Sequence, residues 1–245
     1  EGTLTGGGVY VEPDADNYIQ NSEDNSNRSD VYFNLGTTNY QELTSNNNVK
    51  EYIEIVADTL VPKAVQYLIG AGESVSRSNS VCIGQNVSGQ LIYSGGKGNA
   101  SAGIVTSSSG VGMIKYTLMA YKNSTPGFEG KRACIFINGV SVSTSVIGGS
   151  GSPAYNVGKN LYIFAYNEGG TVKQTCYGQT KIYQIKYYNT SDGEVHVLVP
   201  AYNNGKYCFH DLISDTYIYA SAGTPMGHIK DKYLPNNSAI DIYNG

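Results

Sequence analysis

The sequence predicts an all-β protein made of antiparallel strands. Its C-terminal part contains four short runs rich in β-branched and aromatic residues, separated at regular intervals by turn-forming residues, which is the pattern of an antiparallel meander. These runs are residues 181–188, 194–200, 206–212 and 216–219. Of the 245 residues, 15% are charged, 30 are Gly and 22 are Tyr, a composition that suits a loop-rich β fold with its own core. No segment longer than a turn or two has helical periodicity.

The chain divides into an N-terminal arm and one domain. Residues 1–29 predict an extended arm, because Gly6-Gly7-Gly8 is flexible and residues 17–30 are rich in Asn, Ser and Asp. We expect this arm either to be disordered or to anchor the domain to an assembly or a neighbouring subunit. The domain is predicted over residues 30–245. Before the meander it contains strand-like runs at 31–36, 49–58, 65–70, 81–84, 91–93, 113–121, 133–142 and 161–167.

Alternation along the strands predicts which side chains face the core. Ile53, Ile55 and Ala57 share one face of a half-buried strand. In the meander, two sets of core residues are predicted, Tyr183, Ile185 and Tyr187 on one strand and Val195, Val197 and Val199 on the next. A slip of one residue would turn the three valines outward, so the register should be firmly specified.

Two tight turns are predicted from asparagine and glycine. Asn138-Gly139 lies between β-rich runs, and both positions tolerate the positive φ that a two-residue hairpin turn requires. The run Asn203-Asn204-Gly205 predicts a second such turn inside the meander.

Charge and hydropathy exclude several classes of partner. The net charge is −4 with Lys and Arg scattered along the chain, so the basic patch of a nucleic-acid-binding protein is missing. No apolar run approaches the length that crosses a membrane, so no membrane insertion is expected. The chain begins at Glu1 rather than Met, and we expect it to be processed or a fragment.

The cysteines leave two alternatives open. Cys82, Cys134, Cys176 and Cys208 are even in number, which allows two disulfides, but no pair has the spacing of a zinc site. Cys134 and Cys208 lie inside strand-like runs, where cysteine often serves as a small core residue.

The order of the last strand-like runs resembles the closing segment of a concanavalin A-like (laminin G-like) domain. A hairpin of the Ile137-Asn138-Gly139 type is common in such domains, and the resemblance covers roughly residues 30–230. Domains of this kind occur in tail and fibre proteins of gut bacteriophages and in surface proteins of gut bacteria. The resemblance implies an antiparallel two-sheet jelly-roll sandwich whose sheets stack about 10 Å apart. It also implies a protein that binds rather than catalyses.

The sequence contains no pattern that predicts an enzyme. Glycosidases of this fold need closely spaced carboxylates on one strand face, whereas Glu51 and Glu54 are three residues apart and face opposite sides. His196, His210 and His228 are interpreted as structural residues. His210 and its neighbour Asp211 should also point to opposite faces, and Asp211 is interpreted as a carboxylate that fixes a turn.

Metal sites and phosphate loops are not predicted either. Asp14 and Asp16 flank Ala15, but the rest of a calcium-binding loop is missing. The glycine-rich pieces do not follow a strand and open a helix, as a phosphate loop requires. No cofactor and no metal are therefore expected.

Sugar binding is the function that the composition favours. Sugars present apolar faces ringed by hydroxyl groups, so a binding site needs flat aromatic rings beside planar amides or carboxylates. Three predicted loops supply both types of side chain, at Tyr121 and Asn123, at Tyr155 and Asn156, and at Tyr166 and Asn167. The absence of Trp weakens this interpretation, since Trp is the strongest stacking platform.

We therefore expect a non-catalytic binding or adhesion module of a phage virion, in a tail, fibre or head-decoration protein, that recognises host-surface carbohydrate. The alternative is a structural virion or surface-layer component whose sandwich mediates self-assembly. The expected partners are host-surface carbohydrate and other virion proteins or copies of this chain, in a homo-oligomer. The expected location is the virion surface or a cell surface.

Overall fold

The computed structural model describes residues 13–37, 52–72, 80–96, 103–120, 133–142, 159–189 and 194–230. These residues form eighteen strands and no helix. The first nine strands are β1 (Tyr18–Gln20), β2 (Phe33–Thr37), β3 (Tyr52–Thr59), β4 (Gln66–Gly72), β5 (Ser80–Gln85), β6 (Gln90–Gly96), β7 (Gly103–Ser109), β8 (Gly112–Ala120) and β9 (Ala133–Ile137). The remaining nine are β10 (Val140–Ser141), β11 (Asn160–Ile163), β12 (Tyr166–Glu168), β13 (Thr171–Lys173), β14 (Lys181–Asn189), β15 (Glu194–Asn203), β16 (Lys206–Asp211), β17 (Thr216–Tyr219) and β18 (Met226–His228).

The strands form two sheets, which confirms the predicted all-β, antiparallel two-sheet fold. The larger sheet has the order β10-β9-β8-β3-β14-β15-β16-β17, with β1 paired to β14 and β18 paired to β1. The smaller sheet has the order β13-β12-β4-β5-β6-β7, and β11 joins β2 to β4. Among the described pairs, β12 and β4 run parallel and all others are antiparallel. The meander predicted from the sequence is the run β14-β15-β16-β17.

The main core lies between the two sheets. Its fully buried side chains include Ile55 of β3 and Leu198 of β15 from the larger sheet, and Ile69 of β4 and Ile83 of β5 from the smaller one. Each branched aliphatic side chain that is fully buried stabilises the fold by about 1.5–3 kcal/mol. The sandwich therefore has the sizeable apolar core that a chain of this length permits.

The register of β15 differs from the predicted one. Leu198 pairs with Ile185 and His196 pairs with Tyr187, so these four side chains share the inner face. Val195, Val197 and Val199 consequently lie on the opposite face of the strand. Val197 is buried there, with 2% of its surface exposed, but none of the three belongs to the main core, so the prediction that they line it is wrong. The hydrophobic pattern gave the wrong face because the inner face of β15 contains a polar residue, His196, whose Nδ1 is hydrogen-bonded to Asp211.

On β14 the predicted core face is confirmed for Ile185 and Tyr187, which belong to the main core. A shift in the register against β3 occurs between Ile182 and Gln184. Because of this irregularity Ile182 enters the main core. Tyr183 is also buried but packs its ring edge against Tyr18, with 5.9 Å between ring centroids.

The described part of the predicted arm, residues 13–29, packs as part of the sandwich. Strand β1 pairs with both β14 and β18, and Ile19 is fully buried in the main core. Residues 1–12 lie outside the described residues. The boundary predicted at residue 29 therefore does not separate residues 13–29 from the domain.

Polar contacts also hold this segment against the chain near residue 177. The amide of Asn21 donates to the Tyr177 carbonyl oxygen at 2.8 Å. The guanidinium of Arg28 donates to the Val65 carbonyl oxygen at 2.6 Å and lies 4.9 Å from the centroid of the Tyr177 ring. These contacts explain how a segment rich in Asn, Ser and Asp is ordered without much apolar surface.

Both predicted asparagine–glycine turns are confirmed. Asn138 and Gly139 have φ of 48° and 81° and connect β9 to β10. Asn204 and Gly205 have φ of 51° and 76° and connect β15 to β16. Positive φ at both central residues matches the twist of the flanking strands.

Three of the four cysteines are thiols rather than disulfide partners. Cys82, Cys176 and Cys208 are buried and form no disulfide, while the side chain of Cys134 lies outside the described residues. Burial raises the pKa of the Cys208 thiol to about 11 and raises that of Cys176 further, so both stay protonated and unreactive at neutral pH. No helix in the described ranges is long and apolar enough to span a membrane.

Candidate functional site

The side chains predicted to contact sugar fall into two groups. Tyr121, Asn123, Tyr155 and Asn156 lie outside the described residues. Tyr166 and Asn167 are described, and they lie in β12 rather than in a loop. Only 0% and 2% of their surface is exposed, so the exposed Tyr–Asn loop expected at this position does not form.

Tyr166 and Asn167 have structural contacts that explain their burial. The Tyr166 ring packs against Tyr67, with 4.9 Å between ring centroids. It lies beside Gly70, where a Cβ atom would come within 2.7 Å of the ring. The Asn167 amide donates to the Asn160 carbonyl oxygen, and its side-chain oxygen accepts from the Gly170 N–H, both at 2.8 Å. Both side chains therefore serve packing and turn formation.

The chemistry expected of a sugar site is found instead on the outer face of the meander. We define the meander surface as six side chains of β15–β17 and their turns. These are Asn203, Asn204, His210, Asp215, Tyr217 and Tyr219. The alternation of side chains along β16 and β17 is the sequence signal that indicates this surface. His210 precedes the inward-facing Asp211 and therefore points outward, and Tyr217 and Tyr219 are two residues apart and share a face.

An aromatic pair lies at the centre of the meander surface. His210 and Tyr217 are directly opposite each other on β16 and β17. Their rings stack with 4.5 Å between centroids and 12° between planes. Tyr217 remains 42% exposed, so one side of its ring rests on His210 while the ring as a whole stays open to solvent.

A carboxylate lies beside this aromatic pair. Asp215 Oδ1 accepts a hydrogen bond from His210 Nε2 at 2.8 Å, and the Asp215 side chain is 90% exposed. Partial burial, followed by the negative charge of Asp215, raises the pKa of Tyr217 above its ordinary value of 10. Tyr217 is therefore a neutral phenol at physiological pH.

Two amides complete the surface at the other end of β17. The side-chain nitrogens of Asn203 and Asn204 both donate to the Tyr219 hydroxyl, at 2.9 and 3.3 Å. These bonds orient both amide groups beside the rings. The surface thus combines an exposed ring, a fixed carboxylate and two oriented amides, which are the groups that sugar recognition requires.

The inner face of the same strands contains a second histidine–aspartate pair. Asp211 Oδ2 accepts from His196 Nδ1 at 2.7 Å and from the Ser214 hydroxyl at 2.6 Å, while Oδ1 accepts from the Ile213 N–H at 3.1 Å. The His196 ring stacks on Tyr187, with 4.9 Å between centroids. The prediction that Asp211 is a turn-fixing carboxylate is confirmed.

The hydrogen bonds of Asp211 outweigh its burial. Burial alone would raise the pKa of the carboxyl, but the bonds from Ser214, His196 and the Ile213 N–H hold it below its ordinary value of 3.8. Ser214 donates to Asp211 and not to a histidine, so this cluster does not form the nucleophile–base pair of a hydrolase.

Glu54, considered above as a catalytic carboxylate, forms ion pairs in the centre of the larger sheet. Its two oxygens lie 3.5 Å from Lys115 Nζ and 3.7 Å from Lys186 Nζ. Glu51 lies outside the described residues. In the part of the chain that the structure describes, no group of three or more His, Cys, Asp or Glu side chains is arranged to hold a metal ion.

Comparisons with known proteins give structural but not sequence relatives. No protein-family model and no curated protein matches the chain. The heptameric SAP-like pentraxin from Limulus polyphemus superposes with a TM-score of 0.51 at 11% sequence identity, over 90% of this chain and 98% of the pentraxin. The CBM40 module of a Ruminococcus gnavus sialidase, solved with α2,3-sialyllactose, gives a TM-score of 0.39 at 14% identity over 64% of this chain and 89% of the module.

These likenesses concern the fold. The pentraxin aligns over nearly its whole length, which agrees with the jelly-roll sandwich implied by the sequence. An identity of 11% does not carry binding residues from one protein to the other. The function must therefore be argued from the side chains of this chain.

Proposed function

We propose that this protein is a non-catalytic binding module that holds carbohydrate on its meander surface. The observation that carries the proposal is the exposed Tyr217 ring, which is supported from one side by His210 and flanked by Asp215. A pyranose can lay its apolar face on such a ring while its hydroxyl groups bond to the neighbouring carboxylate.

Binding without catalysis is favoured by the number and direction of the carboxylates. Glycoside hydrolysis requires two carboxyl groups flanking one bond. On the meander surface Asp215 is the one carboxylate among the described residues, since the adjacent Asp211 faces the core and is occupied by four hydrogen bonds. A surface with one carboxylate can orient a sugar but has no second group to cleave it.

The biological setting that we propose is display on a phage virion, in a tail, fibre or head-decoration protein that recognises host-surface glycan. This proposal rests on the resemblance over roughly residues 30–230. Other virion proteins and copies of this chain would be its partners. Several copies would present several weak sites together, and multivalency of this kind raises avidity without new contacts.

The structural alternative has less support in the described residues. It was motivated by an N-terminal arm that could fold onto a neighbouring copy. Residues 13–29 are instead bound to their own sandwich through Ile19, Asn21 and Arg28. That part of the chain is therefore not available to a neighbour without breaking these contacts.

The proposal is tested with the protein clustered on beads and applied to a broad glycan array. We expect reproducible binding to one class of sugar. Tyr217→Ala should weaken that binding roughly 30-fold, which corresponds to about 2 kcal/mol for a central aromatic contact.

Tyr202→Ala is the matched control for this experiment. Tyr202 is exposed to a similar degree, 37% against 42% for Tyr217, but lies on the opposite face of the sheet, in contact with Tyr207. Its loss should leave binding unchanged. A blank array would overturn the proposed function. Equal losses in the two variants would show that the meander surface is not the binding site.

A further inference from the structure

We infer, resting on the proposed function, that the meander surface selects uncharged sugars and rejects sugars that carry a carboxylate or sulfate group. The inference is carried by Asp215, which holds a negative charge at the position where a sugar on Tyr217 would place its hydroxyl groups. The ligand class then follows from charge and hydrogen-bonding capacity rather than from the aromatic ring, which any pyranose could use.

The position of Asp215 is fixed although its side chain is exposed. It lies in the turn between β16 and β17 with φ of 52°. One oxygen, Oδ1, accepts the hydrogen bond from His210 Nε2. Within the described part of the chain no contact engages the second oxygen, Oδ2, which is therefore free to accept from a ligand. An ionised carboxylate is acceptor-only, so it pairs with hydroxyl donors and has nothing to offer another anion.

Two described lysines on the outer face of the larger sheet do not cancel this effect. Lys206 lies on the same face of β16, but four residues from His210, which at about 3.4 Å per residue places it about 14 Å away. That distance exceeds the screening length of about 8 Å at physiological salt. Lys186, on the outer face of β14, is already paired with Glu54.

His210 holds the Asp215 carboxylate in place. The His210 ring stacks on Tyr217, and its Nε2 lies 2.8 Å from Asp215 Oδ1, so the hydrogen bond keeps the carboxylate beside the aromatic pair. A sugar carboxylate or sulfate within about 4 Å of this carboxylate would be repelled strongly enough to weaken binding roughly tenfold.

The test compares matched neutral and acidic sugars on one array. Suitable probes are lactose, N-acetyllactosamine and maltose, each printed beside its sialylated, sulfated or uronic acid counterpart. The quantity measured is the ratio of neutral to acidic binding for each pair. We expect a ratio of at least tenfold for the wild-type chain and less than threefold for Asp215→Asn, which keeps an acceptor oxygen but removes the charge.

Asp16→Asn is the control for net charge. Asp16 is an exposed carboxylate outside the meander surface, 3.3 Å from Lys230 Nζ, and its neutralisation should leave the ratio at the wild-type value. Wild-type binding to acidic sugars as tight as to neutral ones, or an unchanged ratio in Asp215→Asn, would overturn the inference alone. The absence of binding to any sugar would overturn the proposed function and the inference with it.

Discussion

Two histidine–aspartate pairs of nearly equal geometry lie back to back in the meander. His196 and Asp211 are joined at 2.7 Å on the inner face, and His210 and Asp215 at 2.8 Å on the outer face. In each pair the histidine ring also stacks on a tyrosine, at 15° and 12° between planes. Because His210 and Asp211 are adjacent on β16, one strand contributes a member to both pairs.

The two pairs differ in burial, and burial decides what each can do. Asp211 is 2% exposed and its oxygens are used by four donors. A buried polar group must be paired, so this cluster stabilises the fold and is closed to a ligand. The Asp215 side chain is 90% exposed. The same chemical groups therefore provide a structural clamp on one face and an accessible surface on the other.

The largest expected difference between the two pairs is the loss of free energy of unfolding when the carboxylate of each pair is removed. Asp211→Ala leaves the Val197 and Ile213 N–H groups and the His196 ring without their acceptor, which should lower the free energy of unfolding by about 3 kcal/mol. Asp215→Ala removes one exposed bond and should cost less than about 0.5 kcal/mol. Urea denaturation followed by circular dichroism measures both. Similar losses in the two variants would contradict the comparison.

Replacement of the stacked tyrosine of each pair should also lower the free energy of unfolding more on the inner face than on the outer face, but by a smaller margin. Tyr187 is 4% exposed, and Tyr187→Leu should lower the free energy of unfolding by about 2 kcal/mol, because Leu leaves part of the ring volume empty. Tyr217→Leu on the exposed pair should cost less than about 0.5 kcal/mol. If Tyr217→Leu were the more destabilising change, the outer pair would belong to the structural core and could not serve as a free platform.

The smallest expected effect is a change in how the free energy of unfolding depends on acid pH, and it comes from the inner pair. The pKa of Asp211 in the folded protein lies below its ordinary value of 3.8, so its stabilising contribution is fully present above that value and is lost as the pH falls through the folded pKa. Stability measured from pH 6 down to pH 2.5 should therefore decline less steeply in Asp211→Asn than in the wild-type chain. An unchanged slope in Asp211→Asn would mean that its carboxylate is not stabilised by folding.

Much of the fold could be predicted because local rules and tertiary packing agree. The turns at Asn138-Gly139 and Asn204-Gly205 require positive φ, and the sequence places suitable residues there. The opposite directions of His210 and Asp211 follow from strand alternation alone. No long-range information is needed for any of these features.

The failures occur where distant residues override local pattern. On β15 the outward valines appeared to be core residues, because the partner that allows His196 to face inward, Asp211, is on another strand. Tyr166 appeared to be a loop residue, but β12 pairs in parallel with β4, almost a hundred residues earlier, and the ring packs beside Gly70. The meander surface was not predicted, because the Tyr–Asn pairs expected to contact sugar were placed in loops, whereas His210 and Tyr217 lie on a strand face.

The pairing of β1 with β18 has a consequence for the order of folding. A hydrogen bond joins the Asp16 carbonyl oxygen to the His228 ring, although the two residues are 212 positions apart in the chain. During synthesis β1 leaves the ribosome long before its partners β14 and β18, so Ile19 must wait outside the core until those strands are available. Contacts of such long sequence separation slow folding, because the loop between them must close first. This part of the sandwich is therefore completed late, when β18 pairs with β1.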